Sequence, residues 1–158
     1  MTRVRATAFF RRAAVIGALV ASPSFAAADA QEALRLAAEG RYAEALPGLE
    51  DAVRHDPRNA ALHQSLGLAY QALKRYPDAG RSMEQAAKLA PENPEPHYSL
   101  GLLYEAMALP SGEKAAGPQK KFLQKARKAW ERFLNLEQDP KRLDAAKGHL
   151  EKIAELLE

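Results

Sequence analysis

The chain has 158 residues, which is an ordinary length for one domain. It contains no cysteine, so disulfides and thiolate metal sites are excluded, and it carries 23 basic against 20 acidic residues. The composition is rich in Ala and Leu and poor in β-branched residues, which favours an all-helical protein.

The first 28 residues differ from the rest of the chain. Four arginines (Arg3, Arg5, Arg11 and Arg12) precede an uninterrupted apolar run over 13–21, and small residues over 26–28 offer a cleavage site near Ala28. This layout is typical of a bacterial secretory signal peptide, so we expect 1–28 to be removed and the protein to be exported to the periplasm. The alternative is an uncleaved N-terminal membrane anchor, although the apolar run is shorter than the roughly 20 residues that span a bilayer.

Removal of this segment changes the charge of the chain. All of its charged side chains are arginines, so the remainder has 19 basic against 20 acidic residues. A chain so nearly neutral has no overall electrostatic attraction to polyanions, and we therefore expect no nucleic acid partner.

The apolar spacing of the remainder predicts seven helices. In chain order they cover about 30–39, 42–55, 60–74, 77–90, 94–109, 118–137 and 141–157. Pro47 lies inside the second of these, where it indicates a kink or a later start. Asn59 and Asn93 are well placed as N-caps.

One phrase occurs twice in the sequence. HQSLGLAY begins at His63 and HYSLGLLY begins at His97, with six of the eight positions identical. The same spacing separates Tyr42 from Tyr76 and Pro57 from Pro91. This spacing, about 34 residues, is the period of a repeated helix–turn–helix unit.

On these residues the chain resembles the tetratricopeptide repeat family. The most complete unit, 60–93, has Leu66-Gly67, Tyr70, Ala79, Met83, Ala86 and Pro91 at the family's signature places. Partial units cover about 30–59 and 94–139, the latter with an insertion at about 107–120, and 141–157 reads as a capping helix within a domain spanning 29–158. The resemblance implies an all-α, right-handed solenoid, with Gly67 and Gly101 where helices approach closely.

The resemblance also implies a binding surface. In this family the first helix of each unit lines a concave groove, and the corresponding positions here are Leu34, Ala38, Gln64, Leu68, Gln71, Tyr98, Leu102 and Glu105. We expect this groove to hold a segment of another envelope protein. One subgroup of the family binds chaperone carboxyl termini through a Lys, Arg and Asn clamp. Leu34, Gln64, Leu68 and Tyr98 stand at the corresponding places, so that partner is not expected.

A second candidate surface lies on the sixth helix. Lys121, Lys125, Lys128 and Arg132 fall on one helical face, which could contact an acidic protein or, peripherally, anionic lipid. A face of this kind can equally be a solvated surface balanced by nearby glutamates.

No catalytic or cofactor-binding motif is recognisable, so we expect neither an enzyme nor a cofactor. His63 and His97 are a conceivable metal pair, but each stands at a packing position and no third ligand is evident. The expected function is that of a periplasmic adaptor or assembly factor. The alternative is a self-associating scaffold of the cell envelope, with a homo-oligomer as its product.

Overall fold

In the computed structural model, residues 23–109 and 118–158 are described. They form seven helices: α1 (Pro23–Ala38), α2 (Tyr42–His55), α3 (Ala60–Ala72), α4 (Tyr76–Leu89), α5 (Glu95–Ala108), α6 (Pro118–Leu136) and α7 (Pro140–Leu157). These residues contain no strand, and the expectation of an all-α solenoid is confirmed. The predicted signal segment falls largely outside the described residues, as does most of the inserted loop.

The helices pack as antiparallel pairs stacked one on the next. Helices α1 and α2, α3 and α4, and α5 and α6 form the pairs, while α2 contacts α3, α4 contacts α5 and α6 contacts α7. The first helices of successive pairs also touch, α1 with α3 and α3 with α5. These three helices therefore share one face of the stack.

Helices α2 to α7 begin and end within two residues of the predicted bounds, but α1 begins seven residues earlier than expected. Its first turns are written SFAAA after Pro23. Alanine is the best helix former and proline is tolerated in a first turn, so this stretch continues the helix N-terminally. Pro47 does not interrupt α2, which runs unbroken from Tyr42 to His55.

Glycine allows the closest contacts between helices. A Cβ at Gly67 would lie 2.6 Å from Cγ of Met83, and one at Gly101 would lie 2.5 Å from Cε2 of Trp130. Both distances are far inside van der Waals contact, so the predicted close approach at these two positions is confirmed. Asn59 caps α3 as predicted, since its side-chain oxygen accepts hydrogen bonds from the backbone N–H groups of Ala61 and Leu62 at 3.1 and 3.3 Å.

The core has two parts. A smaller cluster around Leu49 and Leu66 joins α1, α2 and α3, and a larger one around Trp130 and Phe133 joins α4 to α7. Tyr70 packs against both clusters, so the two parts are continuous. Within the described residues, no helix combines the length and the apolar character needed to cross a bilayer.

Candidate functional site

A cleft of about 310 Å³, which we call the Leu68 cleft, lies between α3, α5 and the first residues of α2 and α4. It is lined by Tyr42, Leu68, Gln71, Ala72, Tyr76 and Ala106. Leu68 is 36% exposed, whereas the leucines around it in α3 are buried. The lining combines two aromatic rings, an exposed leucine and small alanines, and it contains no charged residue. Such a cleft suits an apolar side chain.

Gln71 gives this cleft an unsatisfied polar atom. Its side-chain Oε1 is buried and has no hydrogen-bond partner among the described residues. An unpaired buried acceptor costs about 1–3 kcal/mol, so turning this side chain towards the cleft, where a donor of a bound molecule can reach it, would recover part of that free energy. The cleft therefore combines an apolar surface with one acceptor that could fix the orientation of a ligand.

Leu34 lies in a different cleft of about 310 Å³, at the other end of the helices. This second cleft is lined by Ala30, Gln31, Leu34, Ala52, His55, Asp56, Asn59 and Leu62. Ala38 is exposed and Gln64 is half-buried, and neither lines one of the two clefts. Leu34 and Leu68 consequently do not line one common cleft.

The third unit's candidate groove residues are engaged by the C-terminal helices. The ring of Tyr98 packs against Trp130 at 5.2 Å and Phe133 at 5.3 Å, while the guanidinium of Arg142 lies 5.3 Å above it. Leu102 packs on the same core cluster. The structure thus places α6 and α7 over this part of the predicted stripe.

Glu105 is held by two partners. Its carboxylate accepts hydrogen bonds from Nε1 of Trp130 and from Nδ1 of His149, the latter at 3.0 Å. The imidazole of His149 stacks on Trp130 with ring centroids 4.4 Å apart. Only 15% of the Glu105 side chain is exposed, so in this structure it serves to join α5 to α6 and α7.

Sequence reasoning did not assign Tyr42 and Tyr76 to the site. Each lies at the start of the second helix of its unit, and the two are one repeat apart. The repeated spacing alone indicates packing residues and not a binding site. Their equal spacing was the available clue, because equivalent residues of successive units lie on the same face of a solenoid. The third unit contributes Ala106, the residue after Glu105, to the lining of the cleft.

The predicted basic face divides into paired and unpaired cations. Lys125 lies 3.2 Å from a carboxylate oxygen of Glu84, and Arg132 donates to the carbonyl of Pro91 at 3.0 Å. Lys121 and Lys128 are exposed and have no partner in the part of the chain that the structure describes. Half of this face is thus tied to α4 and to the segment that follows it.

Lys125 completes a cluster with Glu84 and Tyr104. The Tyr104 hydroxyl donates to Glu84, and the ammonium of Lys125 lies 4.8 Å from the ring centroid. Burial raises the pKa of Tyr104, and the bond to Glu84 raises it further. Burial alone would raise the pKa of Glu84, but hydrogen bonds from Tyr104 and Lys125 outweigh it and hold that pKa below its usual range.

The two repeated histidines have different surroundings. Nε2 of His63 lies 3.0 Å from the carbonyl oxygen of Pro57, whereas Nε2 of His97 is buried without a hydrogen-bond partner among the described residues. Over 23–109 and 118–158 there is no group of three or more histidine and carboxylate side chains placed to hold a metal ion.

Residues 36–103 match the family model for the tetratricopeptide repeat. No curated protein matches the chain in sequence.

The solved structures that resemble the fold include two repeat domains of the same kind. The first is the first tetratricopeptide repeat domain of Spaghetti (RPAP3) bound to the HSP90 peptide SRMEEVD, with a TM-score of 0.65 and 23% identity over 84% of this chain and 92% of that one. The second is the NMR structure of the first such domain of human RPAP3, with a TM-score of 0.63 and 24% identity over 85% of this chain and 94% of that one. The chain therefore has the fold of a tetratricopeptide repeat solenoid, and its residues 36–103 are similar to the family's repeats.

Proposed function

We propose that this protein is a non-enzymatic interaction module that holds a segment of a partner protein in the Leu68 cleft. The observation that carries the proposal is the pairing of an exposed leucine with the unsatisfied acceptor of Gln71 in one cleft. A peptide would place an apolar side chain between Tyr42 and Tyr76, and a backbone N–H of the peptide would pair with the Gln71 side chain after that side chain turns towards the cleft. The fold supports this reading, because solenoid proteins of this class serve as interaction scaffolds.

The chemistry of the cleft indicates which segment would bind. The lining residues carry no Lys or Arg, so nothing in the cleft favours a carboxylate. The structurally similar domain of Spaghetti is bound to SRMEEVD, a peptide with two glutamates. For this chain we propose an apolar segment instead, since a carboxylate in the Leu68 cleft would meet no lysine or arginine to compensate for the hydration that it loses.

The proposed cellular role is that of an adaptor or assembly factor exported to the periplasm. The support is the layout of 1–28, together with a contact between α1 and α2 that lies just after the expected cleavage site. The Gly48 Cβ position lies within 4 Å of the Asp29 carbonyl and the Ala33 side chain, so cleavage after Ala28 would leave this contact intact. Mass spectrometry of the protein from its own cells tests this proposal. A periplasmic species beginning near Asp29 is expected, and a full-length membrane-bound species would favour the anchor instead.

The binding proposal is tested by crosslinking from defined positions. A photo-crosslinking residue is placed at Ala72 or Ala106, both exposed in the cleft, and at Ala145, an exposed alanine of α7, as the control. The same partner protein should be captured from Ala72 and Ala106 and not from Ala145. Capture of this chain alone would replace the adaptor by the self-associating scaffold.

Two leucines of nearly equal exposure provide a matched pair of variants. Leu68 is 36% exposed and lines the cleft, whereas Leu73 is 38% exposed and lies outside it. Leu68→Asp should abolish capture from Ala72, because it puts a charge in the apolar cleft, and Leu73→Asp should not. Equal capture by both variants would remove the Leu68 cleft as the binding site.

A further inference from the structure

The fold contains the same groove twice, once beside each of the repeated histidines. The His63 groove has a volume of about 240 Å³ and is lined by Val53, His63, Leu66, Tyr70, Asp78, Arg81, Ser82 and Gln85. The Lys128 groove has a volume of about 290 Å³ and is lined by Glu84, His97, Leu100, Tyr104, Lys125, Lys128, Ala129 and Arg132. Their floors are identical in residue type, since a histidine, a leucine and a tyrosine recur at equivalent places of the two repeats.

The walls of the two grooves differ. The buried residues Ala79 of α4 and Ala129 of α6 are equivalent, and the insertion places them further apart in the sequence than one repeat. Lys128 precedes Ala129 as Asp78 precedes Ala79, so Lys128 stands at the position of Asp78. The His63 groove has one carboxylate and one guanidinium, whereas the Lys128 groove has three cations and one carboxylate. The two grooves therefore share the residue types of their floors, but the wall of the His63 groove is neutral and the wall of the Lys128 groove is basic.

The cations of the Lys128 groove are only partly neutralised. Lys125 is paired with Glu84 at 3.2 Å, and Arg132 lies 3.4 Å from Glu92, whose side chain is 83% exposed. Such an exposed pair contributes little free energy and exchanges readily for another carboxylate. Lys128 is exposed and has no partner among the described residues. The wall can therefore bind additional negative charge from a ligand.

We propose that the Lys128 groove binds a short acidic segment of a partner protein. Carboxylates of that segment would lie against Lys128 and Arg132, and an apolar side chain would rest on Leu100 and Ala129 of the floor. Charge complementarity of this kind orients a partner and accelerates its association.

The structure favours a protein segment over a membrane surface. Helices that lie on bilayers insert aromatic or aliphatic side chains next to their basic face. The aromatic side chains of α6 are instead engaged within the protein, since Trp130 and Phe133 are buried and Phe122 is stacked on Tyr104 with ring centroids 6.4 Å apart. The apolar part of the Lys128 groove is its recessed floor, which an extended peptide can reach more readily than a flat bilayer.

The test is fluorescence anisotropy with the signal-cleaved protein and a labelled glutamate-rich peptide that contains one central leucine. Lys128→Glu is the informative variant, because Lys128 has no partner among the described residues to lose and the fold should be retained, which circular dichroism checks. Lys152→Glu makes the same charge change at an exposed lysine of α7 and is the control. We expect Lys128→Glu to weaken binding about tenfold and Lys152→Glu to leave it within about twofold.

Three results would overturn the proposal. They are the absence of peptide binding by the wild-type chain, an equal loss in both variants, and binding to phosphatidylglycerol vesicles, but not to the peptide, that depends on Lys128. Leu68→Asp should bind the acidic peptide as the wild type does, because the Leu68 cleft is a separate surface. Failure of one of the two sites would therefore leave the other unaffected.

Discussion

Lys74 adopts a left-handed backbone conformation, with φ of 59°, at the place where Gly40 adopts φ of 76° one repeat earlier. The two turns also share a hydrogen bond. The N–H of Arg41 donates to the Leu36 carbonyl at 2.9 Å, and that of Arg75 donates to the Tyr70 carbonyl at 2.8 Å. Both units thus have the same turn geometry, but only the first has glycine, the residue that adopts a positive φ at the lowest cost in free energy.

Lys74→Gly should therefore stabilise the protein. A non-glycine residue in this conformation costs roughly 1–2 kcal/mol, and part of the gain is lost because glycine makes the unfolded chain more flexible. We expect the free energy of unfolding in urea to rise by about 0.5–1 kcal/mol. Gly40→Ala is the reciprocal variant and should lower it, although a Cβ there would meet no atom within 4 Å. An unchanged midpoint in both variants would show that φ does not limit stability at these turns.

The contact between Gly101 and Trp130 predicts a second, larger effect. A Cβ at Gly101 would lie within 3 Å of three atoms of the buried indole, which has no room to move. Gly101→Ala should lower the free energy of unfolding by roughly 2 kcal/mol or more. Gly148→Ala is the matched control in the middle of α7. Because nothing lies near its Cβ position, it should raise stability by about 0.5–1 kcal/mol. Urea unfolding followed by circular dichroism measures both, and equal effects would contradict the packing argument.

The repeat spacing predicted the helices and the glycine contacts because equivalent residues make equivalent contacts in successive units of a solenoid. Gly67 and Gly101 occupy equivalent positions, so identical spacing implied identical surroundings. The contacts of Glu105 could not be predicted in this way. Trp130 and His149 lie beyond the insertion, where the repeat period no longer holds, and they reach Glu105 from α6 and α7.

The sequence also did not predict where α1 begins or how far the candidate groove extends. Residues 23–28 read both as a cleavage region and as a good helix, and the sequence pattern alone does not choose between these readings. Tyr98 occupies a groove position in the repeat, but the guanidinium of Arg142 from α7 covers its ring at 5.3 Å. Arg142 lies beyond the insertion, where the repeat period no longer predicts which residue faces an earlier helix.

Glu105 gives the third prediction. Glu105→Ala would leave the Nε1–H of the buried Trp130 without an acceptor, which should lower the free energy of unfolding by about 2–3 kcal/mol. Glu105→Gln keeps an acceptor oxygen and should cost about half as much. Trp130 is the only tryptophan, so the shift of its emission during unfolding reports directly on this contact. Equal stability of the Ala and Gln variants would show that the bond from Trp130 contributes nothing.

His97 gives the fourth prediction, which concerns pH. Burial lowers the pKa of His97, and the nearby charge of Arg132 lowers it further. In the unfolded chain this imidazole gains its proton near its ordinary pKa of 6.5, whereas in the folded protein it stays neutral to a lower pH. The unfolded state therefore binds more protons in that window, so the contribution of His97 is fully present above pH 6.5 and is lost as the pH falls below it.

Comparing the wild type with His97→Gln tests this prediction. Glutamine keeps a polar side chain of similar length but does not titrate, so the variant should lose less stability than the wild type between about pH 7.5 and 5.5. Arg132→Gln should have an intermediate effect, because it removes the second cause of the shift and leaves burial, the larger one. Urea midpoints of the three proteins at both pH values supply the comparison. Parallel losses in all three would mean that His97 takes up its proton equally well in the folded and unfolded states.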